Sequence, residues 1–195
     1  MVRLEPKPLQ ISLHGRSVRL REATVADASF IVALRRDPLL SDFIHLTSPS
    51  VTAQESWLLD YASRPDDYYF ICEDADGTSW GTVRIPSVHG SSFETGSWVF
   101  LPDAPVGASV QAMLLAYRFG FERLGCQLAT FDVRQHNERV WRFHEACGAR
   151  RNREDAENFY YSLDTAAFSR AWSRYGRIVA RPGPLDWLQE VHRAE

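Results

Sequence analysis

Two segments of this chain carry residues that could do chemistry. The first reads Asp103-Ala104-Pro105-Val106-Gly107-Ala108-Ser109 and lies between an aromatic, β-branched run and a long amphipathic stretch. The first amides of a helix lack partners inside it and point outward, so Val106, Gly107, Ala108 and Ser109 sit where a pyrophosphate could be held. Gly107 lets backbone approach a phosphate with no side chain in the way, and Ala108 and Ser109 are small for the same reason. No Gly-Lys-Ser/Thr follows, so this is not a Walker loop. The plain alternative is an ordinary strand-to-helix turn. The second segment runs from Asn137 to Cys147. Helical spacing places Val140, Phe143, His144 and Cys147 on one face, so a ring able to move a proton interrupts an apolar stripe. The plain alternative is a satisfied core histidine. Asparagine at the start of a helix is a good N-cap, so Asn137 has a structural reading too. His144 and Cys147 lie on adjacent turns with no third ligand in view, which argues against a metal site or a nucleophilic pair.

The elements that position these residues can be read from periodicity. Arg16–Arg21 alternates and reads as a strand. Thr24 with Asp27, and Thr52 with Glu55, look like capping boxes that open two helices, the first ending at Asp37-Pro38. Tyr68–Glu73 and Trp80–Ile85 flank an Asp-Ala-Asp-Gly turn and predict a hairpin. Phe93–Leu101 reads as one strand. Val110, Met113, Leu114, Tyr117, Phe121 and Leu124 follow helical spacing. Leu128–Arg134 is a strand, Asn137–Cys147 a helix, residues 149–158 a solvated charged loop, and Tyr160–Leu163 a last strand. The expected organisation is a lead-in over 1–15, one domain over 16–164 and a helical appendage over 165–195. Strands and helices mix without a regular βαβ wind, so the class is α+β (mixed α/β).

Composition bounds the function. The chain has 195 residues with 45% hydrophobic and 24% charged, an ordinary globular balance. A formal net charge of −3 gives no electrostatic footprint for nucleic acid or an acidic membrane. Three cysteines, Cys72, Cys126 and Cys147, with no CxxC spacing point away from disulfides or zinc. The opening MVRLEPKPLQ lacks a signal-peptide core, and no apolar run reaches membrane-spanning length. A cytoplasmic protein is expected.

The ordered set of motifs resembles the GNAT superfamily of acetyl-CoA-dependent N-acetyltransferases. That family's pyrophosphate loop reads Arg/Gln-x-x-Gly-x-Gly/Ala, and here Ala104 to Ser109 occupy those six positions. Gly107 matches and Ser109 is small, whereas Ala104 departs from Arg/Gln and Pro105 removes an amide donor. Asn137 and Gly148-Ala149 match the later signature, with Ala149 in place of Phe. The opening HGRSVRLREATVADASFIVALRRDP, continued by VTAQESWLL, is similar to the branch that includes ribosomal-protein N-terminal acetyltransferases.

The resemblance implies a single domain whose central, mostly antiparallel twisted sheet splays between two parallel strands, with helices on both faces. It implies acetyl-CoA as co-substrate and no metal. The carrier's amides would pair with the strand around Trp98 to Leu101, through Val99, Phe100 and Leu101, and Asn137 would hydrogen-bond its arm. His144 stands where many members have a tyrosine that protonates the departing thiolate. Glu94 stands where some members place a glutamate that deprotonates the amine, and a base helps because an amine of pKa ~10 is mostly protonated at neutrality. A strand-edge carboxylate in solvent is the alternative reading of Glu94, and His89 is a second, weaker base candidate. The expected activity is transfer of acetyl to a primary amine by direct attack. The acceptor is expected to be a small molecule such as a nucleotide-linked amino sugar, to which RFHEACGA and ENFYYSLD point. In the family the 149–158 segment often borders the acceptor, so Arg150, Arg151 and Arg153 would meet its anionic part. Alternatives are a protein N-terminal acetyltransferase and a non-catalytic acyl-CoA-binding module. No nucleic-acid or membrane partner is expected, and the protein would be a monomer or homodimer.

Overall fold

The computed structural model describes residues 9–44, 47–179 and 187–192. Its strands are β1 (Leu9–His14), β2 (Arg19–Glu22), β3 (Tyr68–Glu73), β4 (Ser79–Ile85), β5 (Val88–His89), β6 (Ser92–Glu94), β7 (Gly96–Phe100), β8 (Leu128–Arg134), β9 (Arg150–Glu154), β10 (Asn158–Asp164) and β11 (Leu188–His192). The α-helices are α1 (Ala28–Arg36), α2 (Val51–Tyr61), α3 (Ala108–Arg118), α4 (Glu138–Ala146) and α5 (Thr165–Val179). One sheet runs β11-β1-β2-β3-β4-β7 and the other β5-β6-β8-β10-β9. All pairings are antiparallel except β6 with β8. This is an α+β domain with a splayed sheet.

The splay has a local cause. The stretch read as a single strand over 93–101 divides at Thr95. Before it, Ser92–Glu94 pair in parallel with Leu128–Thr130, and the Thr95 amide makes the last link, to Thr130 O at 2.9 Å. After it, Ser97 takes a positive φ of 47° and the strand turns to pair with β4, its Phe100 opposite Gly81. A non-glycine residue at positive φ is uncommon, and here it sits where one strand changes sheets. From Gly96 onward β7 and β8 diverge, and the gap between them opens into a cleft.

The core packs around α3, whose Ala112, Leu114, Leu115, Ala116 and Tyr117 are fully buried. Both sheets contribute to it, through Leu13, Leu20, Phe70 and Val83 on one side and Phe93, Ala129, Tyr161 and Leu163 on the other. A smaller cluster of Ile31, Leu58, Tyr61, Tyr69 and Ile71 lies under α1 and α2.

Four further sequence expectations change. Residues 9–14, expected within a lead-in, form β1, which pairs with β2 and β11. Residues 188–192, expected within a helical appendage, form β11; α5 itself is helical as read, with Asp164 accepting from the Ala167 amide at 2.8 Å. Residues 150–154 are a strand rather than a loop, because β9 gains main-chain pairing with β10 while keeping its charged side chains in solvent. The N-cap of α2 is Ser50, whose Oγ accepts from Ala53 N at 3.1 Å, rather than Thr52. The remaining parts of the 1–15 and 165–195 readings fall on residues 1–8, 180–186 and 193–195, outside the described residues.

Candidate active site

The gap between β7 and β8 widens into a cleft of about 350 Å³ whose lining includes Glu94, Ser97, Trp98, Asn137 and His144. Glu94 and His144, fifty residues apart in sequence, thus face one space. So does Asn137, and the rest of the opening is walled by β7 and β8.

His144 is buried, with 3% of its surface exposed. Its ring sits among Phe131, Trp98 and Phe143, with centroids at 4.2, 5.4 and 5.2 Å. Burial in these apolar surroundings pushes its pKa from 6.5 down to about 3. The ring is therefore neutral near pH 7. Its Nδ1 lies 2.8 Å from the Tyr117 hydroxyl on α3. Burial raises the Tyr117 pKa well above 10, so the phenol keeps its proton, and its oxygen is hydrogen-bonded by Thr95. A protonated phenol at this distance can donate to His144 Nδ1. In that arrangement the ring's proton is on Nε2, for which the described residues offer no hydrogen-bond partner, and His144 lines the cleft. The ring meets the cleft as a neutral imidazole, because desolvation excludes the imidazolium.

Glu94 ends β6 and is exposed, with Ser87 Oγ donating to Oε2 at 3.4 Å. His89 is exposed on β5 and does not line the cleft. Asn137 precedes α4, but its side chain makes no capping bond; its carbonyl accepts from Val140 N and Trp141 N instead. The capping role open to Asn137 is thus filled by its main chain, and its side chain is left to the cleft.

Along β7 the main-chain groups alternate. Leu101 N donates to Trp80 O at 2.9 Å, and Ser97 O accepts from Thr82 Oγ1 at 2.7 Å, so odd-numbered residues face β4. Val99 pairs with Thr82 in the same register. Strand alternation then turns the Trp98 and Phe100 groups toward the gap. Of the three residues expected to meet a carrier here, Phe100 has a main chain available, whereas those of Val99 and Leu101 are engaged in the sheet. Trp98 also fastens the strand to the helix start, its Nε1 donating to Ser109 O at 3.0 Å.

The loop behaves as a helix start with spare donors. Gly107, at φ 83°, is the residue before α3. Ala108 N is occupied by Pro105 O at 2.9 Å, and Gln111 N bonds Gly107 O. The amides of Val106, Gly107, Ser109 and Val110 have no main-chain partner among the described residues. These donors and the open edge of β7 fit a slender acyl carrier ending in a diphosphate.

Arg150, Arg151 and Arg153 do not line the cleft. Arg151 is held by Glu145 at 3.1 Å and lies 3.5 Å over the Phe159 ring, while Arg153 lies 3.5 Å over Tyr160. The cations that do line it, among others, are Arg35 of α1 and Arg84 of β4. Tyr117, Thr95, Arg35 and Arg84 carried no sequence signal for this site. Tyr117 looked like one more position of α3's apolar stripe, and nothing in its spacing links it to His144.

Among the described residues no cluster of His, Cys, Asp and Glu could hold a metal ion, and no helix is long and apolar enough to cross a membrane. The family described as Acetyltransferase (GNAT) domain matches residues 17–150, and the chain belongs to it. It is an acyltransferase by that membership, of a family that uses acetyl-CoA. Among solved structures it is similar to apo FdhC, a nucleotide-linked sugar GNAT, at 31% identity and TM-score 0.79, covering 87% of this chain and 98% of that one. Mycobacterium smegmatis RimJ in complex with CoA-disulfide superposes at TM-score 0.68 with 18% identity, over 87% of this chain and 95% of that one. A mutant of the Vibrio cholerae spermidine/spermine N-acetyltransferase SpeG does so at 0.66 with 15% identity, over 79% and 97%. The last two likenesses are of fold alone. No curated protein sequence matches the chain.

Proposed function

We propose that this protein transfers the acetyl group of acetyl-CoA to the primary amine of a small molecule, a nucleotide-linked amino sugar, by direct attack. The observation that carries the reading is the single cleft into which Glu94, Asn137, His144 and the open edge of β7 all project. The thioester supplies an activated acetyl group, and the protein's own residues do the rest. Spare amides at Val106, Gly107, Ser109 and Val110 hold the diphosphate, with α3's positive end behind them. Phe100 and Trp98 main-chain groups and the Asn137 side chain hold the arm in the gap. Glu94, in contact with water, accepts the amine's proton directly or through a water molecule. His144 donates a hydrogen bond from Nε2 to the departing sulfur and so stabilises the thiolate, which takes its proton from water, with Tyr117 fixing the tautomer.

The acceptor class is supported by likeness to FdhC, which is a nucleotide-linked sugar GNAT. An acceptor panel reading free-thiol release tests it. A nucleoside-diphosphate amino sugar is expected to give the highest kcat/KM; a peptide N-terminus or a polyamine giving the highest instead would overturn the acceptor class. Calorimetry with acetyl-CoA tests the transferase reading itself, and absence of binding would turn the chain into a module with another role.

A further inference from the structure

Beside the cleft lies a second hollow of about 270 Å³, bordered by Thr47, Gln54 and Trp57. The two spaces share Arg35, Arg84 and Ser97. Each is at or below the usual size of a small-molecule site, ~300–1,000 Å³. A larger ligand must therefore span both, and it must carry its negative charge in the middle, where the guanidinium groups stand.

The cations at the junction are held in place. Arg84 Nε donates to buried Asp67 Oδ1 at 2.8 Å, Nη2 takes the other carboxylate oxygen, and the guanidinium lies 4.7 Å over the Trp57 ring. Nη1 is bonded by no partner among the described residues, so the fork keeps donors for a ligand while its orientation is fixed from behind. Arg35 reaches the same junction from α1, its Nη1 donating to Ser97 Oγ at 3.4 Å. The far hollow is polar without charge. Gln54 offers an amide, and Thr47 Oγ1 is buried with no hydrogen-bond partner among the described residues. A buried polar atom left unsatisfied is uncommon and fits a place where a ligand supplies the partner.

Resting on the acetyltransferase reading above, we propose that the two hollows are one elongated acceptor site. Arg35 and Arg84 grip the diphosphate of a nucleoside-diphosphate amino sugar, the hollow at Gln54 and Thr47 takes the nucleoside, and the cleft takes the amino sugar beside Glu94. The order of chemistry along the groove is uncharged polar, cationic, then acid–base, matching nucleoside, diphosphate and amine in sequence.

The test is isothermal titration of the full chain with UDP and with dTDP, neither of which carries the sugar or the amine. One of the two is expected to bind at one site per chain. Arg35→Gln and Arg84→Lys should each weaken it by about tenfold or more, the first by losing a charge-assisted pair and the second by losing the guanidinium fork. Because Arg84 also partners buried Asp67, a second kind of variant is included: Ala53→Phe, which narrows the far hollow from α2 and leaves both arginines in the chain. It should weaken UDP or dTDP to a similar degree. With the amino sugar itself, Arg35→Gln should raise KM more than it lowers kcat. Failure of both nucleotides to bind, or equal binding by all variants, overturns the elongated site. Acetyl-CoA titrated into the same samples reads the transferase proposal separately. Its binding without UDP or dTDP binding removes this inference and leaves that one standing, whereas absence of acetyl-CoA binding removes that one.

Discussion

The two sides of the cleft are built from different material. On the side of α3 and β7 the available donors are main-chain groups: amides at a helix start and the free edge of a diverging strand. On the side of α1, α2 and β4 they are side chains: Arg35, Arg84, Gln54 and Thr47. Main-chain donors depend on backbone shape and tolerate many sequences, so such a surface suits a ligand common to a whole family. Side-chain donors change with one substitution, so the opposite surface suits the ligand that distinguishes one member from another. The Ala104 departure from the family's Arg/Gln illustrates the first half. A side chain is missing, yet the helix start and its spare amides are still formed.

The comparison can be broken most sharply at His144, which closes the cleft between the two sides. His144→Ala is expected to lower kcat by about 100-fold, the lower range for loss of a hydrogen-bond donor to developing charge, with a much smaller change in acetyl-CoA affinity. Single-turnover kinetics beside calorimetry checks this, and unchanged turnover would take His144 out of the chemistry. The same residue has a signature in stability. Its folded-state pKa of about 3 lies below the ordinary 6.5, so the unfolded chain takes up the proton first as pH falls. This contribution is complete above pH 6.5 and is lost downward through that window, at up to about 1.4 kcal/mol per pH unit. Denaturant midpoints from pH 7 to 4 should fall more steeply in the wild type than in His144→Gln; parallel curves would mean the ring is charged or wet in the native state.

At the main-chain side, Gly107→Val puts a β-branched residue at φ 83° and costs about 1–2 kcal/mol in the bound loop geometry, roughly a tenfold loss of acetyl-CoA affinity. An acceptor-site ligand should bind the same variant as it does the wild type. If both affinities fall together, the two sides are not separate. The mildest change works in the other direction. Ala104→Arg places a cation near the helix start and is expected to tighten acetyl-CoA by a few-fold, from about 0.2–1 kcal/mol for an exposed ion pair. A null result there would mean that the loop's amides already satisfy the diphosphate.

How much of this could be read from the sequence divides along the same line. The loop, the helix start at Asn137 and the polar ring at His144 are local patterns, and local patterns survive in one dimension. Each element that bears them appears in the structure within a few residues of its expected place. The division of 93–101 into β6 and β7 was not legible, because Gly96 and Ser97 do not break the alternation enough to mark a change of sheet. Tyr117 was hidden by its own success as a core residue, since only packing brings it to His144. The arginines were misplaced for a related reason. Arg150, Arg151 and Arg153 form a conspicuous run, but β9 keeps all three exposed, with Arg151 on Glu145 and Phe159 and Arg153 on Tyr160. Arg35 and Arg84 stand alone in their segments and gain meaning only where α1, α2 and β4 meet. Strand β11 was missed because its pairing is with β1, at the opposite end of the chain.

The free edge of β7 has a consequence outside catalysis. A strand with unanswered amides is a template on which another strand can add, and proteins ordinarily guard such edges. Here the guard would be the bound acyl carrier itself, lying along Trp98 and Phe100. Storage without it leaves the template bare, so turbidity during slow heating should begin at a lower temperature in stripped preparations than in saturated ones, by more than the shift in unfolding alone.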